Sequence, residues 1–323
     1  MREKTNVTQR FTQRLRWTTL ALTGSLALMM GSTTPALAAP SLDLGHTLNL
    51  SIQKGEKFVK ELTEKLINYD PQDVKELPQR SGKDFTPGAD YQGNRANDDF
   101  QKVKNILLRQ VYFDHRTTLY CGYPFEKNKD VDLPRGFVAP EHKERASRIE
   151  WEHVVPAEHF GQSFTEWSEG VDACKRPNGH YYKGRKCAED RNQEYRYMQA
   201  DMYNLFPAVG AVNAVRSNYP YRILENVPHT FGTCEMKVAG NYAEPPERSR
   251  GEISRAMLYM DATYPAHYQM GDRVRKMVEE WNRTYPVTAW ECTRAARIES
   301  LQGNANRFVK EACQKTGLPY KTR

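Results

Sequence analysis

All six cysteines of this 323-residue chain lie beyond residue 120, downstream of an N-terminal segment that resembles an export signal. An even number of cysteines in an exported chain favours disulfide bonds, because compartments outside the cytoplasm are oxidising. Close spacing favours the bridges Cys174–Cys187 and Cys292–Cys313, which leaves Cys121 for Cys234, although six cysteines allow other pairings. We therefore expect a disulfide-stabilised fold. The absence of any Cys-x-x-Cys argues against zinc ribbons and thioredoxin-like redox chemistry.

The first 38 residues have the three parts of a secretory signal peptide. A basic start, MREKTNVTQRFTQRLR, is followed by the apolar run WTTLALTGSLALMMG and by the small-x-small site Ala36-Leu37-Ala38. The run is too short for a membrane span, and no longer apolar run follows, which disfavours an uncleaved membrane anchor. We predict that residues 1–38 are removed, that the mature protein has no membrane segment, and that it is periplasmic or secreted.

Net charge alone does not identify a partner. Residues 1–38 carry five Lys or Arg and one Glu, a net +4 of the chain's +7, so the mature chain keeps +3. That excess is modest, and overall basicity would not by itself predict nucleic-acid binding. The positions of individual charges therefore matter more than their total.

Apolar spacing predicts a mainly helical α+β fold with a small sheet. Residues 39–98 are polar and weakly patterned, as expected for an extension and linker. The spacing from Asp98 to Asp114 predicts a helix capped by Asp98 or Asp99, and Arg148–Val155 resembles a short strand. The segment around Pro207 is predicted as two helical pieces, the second beginning at that proline. Further helices are predicted over Glu252–Met260, over Arg273–Trp281 and from Glu291 onward.

The adjacent residues Glu152 and His153, in the segment RIEWEHVVPAEHFG, are the first candidates for chemistry. His153 and His159 are six residues apart with Pro156 between them, whereas zinc metalloproteases need two histidines four apart on one helix face. No Gly-x-Ser-x-Gly is present either, which disfavours a serine hydrolase. The remaining interpretation makes Glu152 an oxygen ligand of a hard cation and His153 a general base.

Hydrolysis of a phosphodiester needs a metal, a base and a cation that neutralises the developing charge. Asn213, in VNAVRSN, could supply a second oxygen ligand, and Arg185, in KGRKC, lies two residues from a cysteine expected to form a disulfide. Each signal is weak alone, since surface Glu-His pairs, helical asparagines and basic loops are usually solvated. Only their combination in one exported chain favours a nuclease.

Five segments of this chain resemble sequence blocks of the bacterial endonuclease I family, periplasmic or secreted nonspecific nucleases with a ββα-metal (His-Me finger) core. The resemblance covers about residues 100–313 and leaves residues 39–98 outside. It implies a nuclease domain over 99–313 and a C-terminal tail over 314–323. The matching segments are YCGYPF (Tyr120–Phe125), EWEHVVPAEHFG (Glu150–Gly161), MQADMYNLFPAVGAVNAVRSN (Met198–Asn218), EPPERSRGEISRAMLYM (Glu244–Met260) and LQGNANRF (Leu301–Phe308).

The resemblance implies a role for each of the candidate residues. The family's metal-binding Glu and Asn correspond to Glu152 and Asn213, and its general base corresponds to His153. Its catalytic arginine corresponds best to Arg185, with Arg176 as the alternative. We expect one Mg²⁺ ion, for which Mn²⁺ or Ca²⁺ can substitute in binding. We also expect a monomer that cleaves DNA and RNA without sequence preference.

A nonspecific nuclease should bind its substrate mainly through phosphates, which carry no sequence information. The sequence suggests Arg216, one helical turn after Asn213, as the first phosphate ligand, and then Lys186, Arg148 and Arg250. For each of these four, a solvated charge or a structural ion pair is an equally good interpretation.

Glu150, Glu158 and His159 are expected to be structural. The competing functional hypothesis is an inactive extracellular nucleic-acid-binding protein. It is disfavoured because a binding module gains nothing from an intact set of metal ligands and a base.

Overall fold

The computed structural model describes residues 91–322. The predicted signal peptide and the extension as far as residue 90 lie outside the described residues. Within the described range the chain is mainly helical, with two small antiparallel sheets. The predicted α+β class is therefore confirmed.

The described elements alternate between short helices around the first sheet and longer helices in the C-terminal part. The strands are β1 (Ile149–His153), β2 (Leu205–Val209), β3 (Lys237–Ala239) and β4 (Tyr242–Glu244). The α-helices are α1 (Phe100–Ile106), α2 (Ala157–Gly161), α3 (Thr165–Ser168), α4 (Arg185–Arg191), α5 (Gln193–Gln199), α6 (Gly210–Arg216), α7 (Glu247–Thr263), α8 (Asp272–Thr284), α9 (Ala289–Gln302) and α10 (Arg307–Thr316).

The predicted N-terminal helix begins at Phe100 and is capped by Asp99, whose side chain accepts a hydrogen bond from the backbone N–H of Lys102 at 3.0 Å. α1 continues into a π-helical turn over Leu107–Val111. Val103, Leu107 and Val111 are fully buried, which is the face that the apolar spacing predicted. The three helices predicted in the C-terminal part are also present, as α7, α8 and α9.

β1 forms where the sequence predicted a strand, and it pairs antiparallel with β2 from Ile149 opposite Val209 to His153 opposite Leu205. The prediction of a helix beginning at Pro207 is wrong, because Pro207 lies in the middle of β2, opposite Trp151. The carbonyl of Pro207 points away from β1 and accepts a hydrogen bond from the N–H of Leu119 at 2.8 Å. The N–H that proline lacks would lie on that same side, so no β1–β2 hydrogen bond is lost.

α6 follows β2 directly and packs on β1. Gly210, its first residue, donates its N–H to the carbonyl of Arg148 at 2.9 Å. A Cβ at this position would collide with the carbonyl oxygen of Arg145. Glycine therefore lets the start of α6 approach the segment that leads into β1, and this fixes the helix against the strand.

All three predicted disulfides are present: Cys121–Cys234, Cys174–Cys187 and Cys292–Cys313. Cys174–Cys187 ties the first turn of α4 to the preceding loop. Cys292–Cys313 joins α9 to α10. Cys121–Cys234 closes the longest loop, with a sequence separation of 113 residues.

The predicted tail belongs structurally to the domain. α10 continues to Thr316. Beyond it, Leu318 and Tyr320 pack against the core, and the carbonyl of Thr322 accepts a hydrogen bond from Arg297 at 2.9 Å. Among residues 91–322, no helix is both long and apolar enough to span a bilayer.

Candidate active site

A cavity of about 720 Å³ lies over β1 and α6. Five of the predicted site residues line it, although they come from separate parts of the sequence: Glu152, His153, Arg185, Asn213 and Arg216. The sheet pairing and the position of α6 bring them together.

The geometry of a strand facing a helix explains which residues meet. Glu150 and Glu152 are two positions apart on β1 and so share a face, while Asn213 and Arg216 are three apart on α6 and lie one turn from each other. Asn213 Nδ2 donates to Glu150 Oε2 at 2.7 Å. Arg216 Nη1 lies 3.0 Å from Glu152 Oε1. Each carboxylate of the strand therefore has one polar partner on the helix.

Glu152 is a buried carboxylate with strong partners. It is 3% exposed, and Tyr120 donates its hydroxyl to Glu152 Oε1 at 2.6 Å. The Tyr120 hydroxyl is in turn 2.5 Å from that of Tyr221. Burial raises the pKa of Glu152, whereas the charge of Arg216 and the hydrogen bond from Tyr120 lower it. Both contacts use Oε1, so Oε2 is available to a ligand.

Arg216 does not fit the phosphate-binding role predicted for it. Its side chain is 1% exposed. Besides its contact with Glu152, Nη1 donates to the carbonyl of His153 at 2.9 Å and Nη2 to that of Val154 at 2.7 Å. The guanidinium also lies over the Tyr221 ring, 4.6 Å from its centroid. The helical position is correct, but the side chain points inward and holds Glu152 and the end of β1.

His153 is a buried imidazole whose tautomer is fixed by one hydrogen bond. Its Nε2 lies 2.9 Å from the carbonyl oxygen of Gln199, which can only accept, so Nε2 carries the proton and Nδ1 is free to accept one. Burial, assisted by the positive charge of Arg185, lowers the pKa of His153 to about 3, against the hydrogen bond to Gln199. The imidazole is therefore uncharged at neutral pH.

Arg185 lines the cavity, and the alternative residue Arg176 does not. Arg185 is the exposed first residue of α4. It follows Gly184, whose φ of +71° favours glycine, and precedes Cys187, which is fixed by its disulfide. Arg176 lies in the exposed loop, with its guanidinium 5.9 Å from the centroid of the Tyr182 ring. Of the two arginines, Arg185 is the one positioned to meet a substrate in the cavity.

The other three predicted phosphate ligands do not line the cavity. Lys186 is exposed and pairs with Asp190 at 2.8 Å. Arg148 donates to the carbonyl of Asn128 at 2.8 Å. Arg250 is largely buried against Glu244 at 2.8 Å. For these residues the structure favours the alternative interpretation of solvated charges or structural ion pairs.

Several residues in or next to the cavity were not among the predicted site residues. Lys104 and Lys129 line the cavity but lie in α1 and in a loop, far from the motifs in sequence. Tyr120 could have been found, since it begins the YCGYPF segment and precedes a disulfide cysteine. Glu150, expected to be structural, receives hydrogen bonds from Asn213 and from Arg145 Nε at 2.7 Å.

The polar groups of the cavity suit a hard divalent cation that keeps much of its water. A carboxylate accepts but cannot donate, so the hydrogen bond to Glu150 sets the Asn213 amide with Nδ2 toward that carboxylate and leaves Oδ1 free. Asn213 Oδ1 and Glu152 Oε2 are oxygens of the kind that hard divalent cations such as Mg²⁺ prefer. Across residues 91–322, no group of three or more His, Cys, Asp or Glu that could hold a metal is present. Two protein oxygens whose coordination is completed by water are consistent with a hard divalent cation.

The buried ion pair predicts a large loss of stability when only one partner is removed. Arg216→Met leaves Glu152 buried without its cation and should lower the free energy of unfolding by about 3–5 kcal/mol. Adding Glu152→Gln should restore part of the loss, while Tyr120→Phe alone should cost about 1.5–3 kcal/mol. Urea unfolding in EDTA measures all three. An Arg216→Met protein as stable as the wild type would contradict this account of the pair.

Comparison with known proteins identifies the family. The Endonuclease I family model matches residues 125–313. An extracellular deoxyribonuclease of Aeromonas hydrophila is 40% identical over 223 residues, which are 67% of this chain and 90% of the relative. A periplasmic deoxyribonuclease of the same species is 38% identical over 67% of this chain and 86% of its own. Endonuclease-1 of Buchnera aphidicola subsp. Acyrthosiphon pisum is 35% identical over 70% of this chain and 86% of its own length. The chain therefore belongs to the endonuclease I family.

Proposed function

We propose that this protein is an exported endonuclease, periplasmic or secreted, that hydrolyses phosphodiester bonds in DNA and RNA without sequence preference. The observation that carries the proposal is one cavity lined by the buried carboxylate Glu152, the neutral His153 and the exposed Arg185. These are the groups that phosphodiester hydrolysis needs, in a chain of an endonuclease family. An inactive binding protein is a poorer explanation, since it would bury a carboxylate at the cavity for no purpose.

Glu152 Oε2 and Asn213 Oδ1 would hold one Mg²⁺ ion, and Mn²⁺ or Ca²⁺ could occupy the same oxygens. Such an ion, when bound, supplies positive charge at the scissile phosphate and its leaving oxygen. The protein's own contribution is to present the two oxygens in fixed orientations. Arg216 and Tyr120 hold the Glu152 carboxylate, and Glu150 holds the Asn213 amide.

His153 would take the proton from the attacking water at Nδ1. Its Nε2–H is held by the Gln199 carbonyl, which fixes both the tautomer and the plane of the ring. The backbone carbonyl of His153 is bound by Arg216, so the same arginine holds the base and the neighbouring carboxylate. Such preorganisation keeps the base in position for a water directed at the phosphate.

Arg185 would bind the scissile phosphate and neutralise the charge that builds on it during attack. α4 and its disulfide limit the movement of the backbone at this position. Contacts of this kind address only the sugar–phosphate backbone, which accounts for cleavage without sequence preference. We further propose that the enzyme acts as a monomer, because a single chain supplies Glu152, His153, Asn213 and Arg185.

The proposed activity is tested with the purified mature protein and a closed circular plasmid. Mg²⁺ should support conversion to nicked and then linear DNA, and EDTA should abolish it. A circular substrate has no ends, so linearisation distinguishes an endonuclease from an exonuclease. A labelled RNA tests the broader substrate range. Binding of the plasmid without any cleavage in Mg²⁺ or Mn²⁺ would favour the inactive binding protein and overturn the proposal.

Replacing the proposed base should reduce turnover without abolishing DNA binding. His153→Ala should lower kcat by roughly 10²–10⁴-fold, the usual contribution of a general base. His159→Gln is the matched control, because His159 lies in α2 and does not line the cavity. Single-turnover cleavage and fluorescence anisotropy with a labelled duplex separate the two effects. A His153→Ala enzyme with wild-type kcat would remove this residue from the role of base.

The two candidate arginines can be distinguished by paired substitutions. Arg185→Gln should reduce kcat by about 10²–10³-fold, comparable to the loss of one donor to a developing oxyanion. Arg176→Gln, the same change in the neighbouring exposed loop, should leave the rate near that of the wild type. Steady-state kinetics on a defined duplex provide the comparison. A larger loss in Arg176→Gln would transfer the role to that arginine.

A further inference from the structure

The cations that line the active-site cavity fall into two groups. Arg145 and Arg216 are paired with the carboxylates of Glu150 and Glu152. Arg185, Lys104 and Lys129 line the same cavity and have no ion pair with any residue of the described range, and Arg185 already has a role at the scissile phosphate. Paired cations hold the site together, whereas unpaired ones remain free to bind an anion.

Lys104 is held close to the proposed base by an aromatic ring. Its ammonium lies 4.7 Å from the centroid of the Phe100 ring, one turn earlier on α1. The same ring also contacts His153, with ring centroids 5.0 Å apart. The cation–π contact holds the amine without neutralising it, because the ring carries no net charge.

The backbone of Lys129 is held by hydrogen bonds beside the first residue of β1. It closes a tight turn in which its N–H donates to the carbonyl of Glu126 at 2.8 Å. Its own carbonyl accepts from Ile149, the first residue of β1, at 2.9 Å. Its φ of +79° lies in the left-handed region, which is unusual for a residue with a side chain. The turn therefore fixes the backbone position of Lys129 beside β1, the strand that carries Glu152 and His153.

Lys104 and Lys129 carry like charges and line the same cavity. Burial lowers the pKa of Lys104, and the positive charges of Lys129 and Arg185 lower it further, against the opposing effects of Glu189 and Glu150. Two like charges held near each other repel, and this costs free energy in the absence of a counter-ion. An anion between them would relieve the repulsion. The substrate backbone supplies such anions at regular intervals on both sides of the bond that is cut.

We propose that Lys104 and Lys129 form a phosphate clamp that binds the backbone phosphate next to the scissile one. This inference rests on the proposed nuclease function and assigns it a substrate subsite. The clamp binds phosphate and reads no base, in keeping with cleavage that ignores sequence. Arg185 acts on the phosphate undergoing attack, while the two lysines keep the nucleic-acid strand aligned with the reacting groups.

The chain contains matched controls for both lysines. Lys102 is two residues from Lys104 on α1, and Lys127 is two residues from Lys129 in the same turn. Both are exposed, and neither lines the cavity. Replacement of each by Gln makes the same change in net charge, so any difference within a pair reflects position.

The experiment compares Lys104→Gln, Lys129→Gln and their two controls. With Mg²⁺ and a defined duplex, each clamp variant should raise KM roughly tenfold with little change in kcat. In a His153→Ala background, the slope of log Kd against log salt concentration should fall by about 1 per lysine removed. Lys→Arg at either clamp position keeps the charge and should restore the slope.

The KM, kcat and salt slope of the variants together test the phosphate clamp. Clamp variants whose KM and salt slope equal those of the controls would overturn the inference and leave the nuclease function intact. A fall in kcat at unchanged KM would also overturn it, since the lysines would then act at the reacting phosphate. Loss of binding in the Arg variants as well would assign these positions to folding. A wild type that binds DNA but never cleaves it would defeat the function itself, while the salt slopes would still test the clamp.

Discussion

The site depends on the buried ion pair between Glu152 on β1 and Arg216 on α6. Taking both charges out of water costs several kcal/mol per ion unless the geometry is good and the remaining polar atoms have partners. Here one guanidinium contacts the carboxylate and the carbonyls of His153 and Val154, and Tyr120 binds the same carboxylate oxygen. A single residue thus fixes the proposed metal ligand and the backbone of the proposed base. Neither can move without breaking the contacts of the other.

Disulfides support this arrangement from two sides. Cys121, bonded to Cys234, directly follows Tyr120, so the bridge anchors the backbone from which the tyrosine reaches Glu152. Cys187, bonded to Cys174, lies two residues after Arg185 in the first turn of α4. Catalytic groups work best when the residues that support them are also held rigidly. Each of these two disulfides therefore lies beside a residue, Tyr120 or Arg185, that reaches the site from outside β1 and α6.

The local sequence pattern predicted which segments carry the site residues, but it did not predict which residues of those segments contact each other. The Glu152–His153 strand and the Asn213–Arg216 turn could be recognised because each lies within one short segment. β2 was misjudged because LFPAV is buried throughout and shows no alternation, and a short apolar run does not distinguish a strand from a helix. Arg216 was placed on the correct face of α6, but its inward direction depends on a carboxylate 64 positions earlier. Contacts of that range arise from the fold and leave no trace in local spacing.

The cavity lysines illustrate why total charge is a poor guide to nucleic-acid binding. Residues 39–323 have an excess of only three positive charges. What distinguishes Lys104 and Lys129 from the paired Arg145 and Arg216 is the lack of a carboxylate partner within the described structure. A paired cation is already neutralised by its carboxylate and gains little from meeting a phosphate, whereas an unpaired one can neutralise a phosphate and release the counter-ions condensed on the nucleic acid. Affinity for a polyanion therefore depends on the few cations that remain unpaired beside the reacting groups. A chain whose net charge is nearly zero can still bind nucleic acid at such a site.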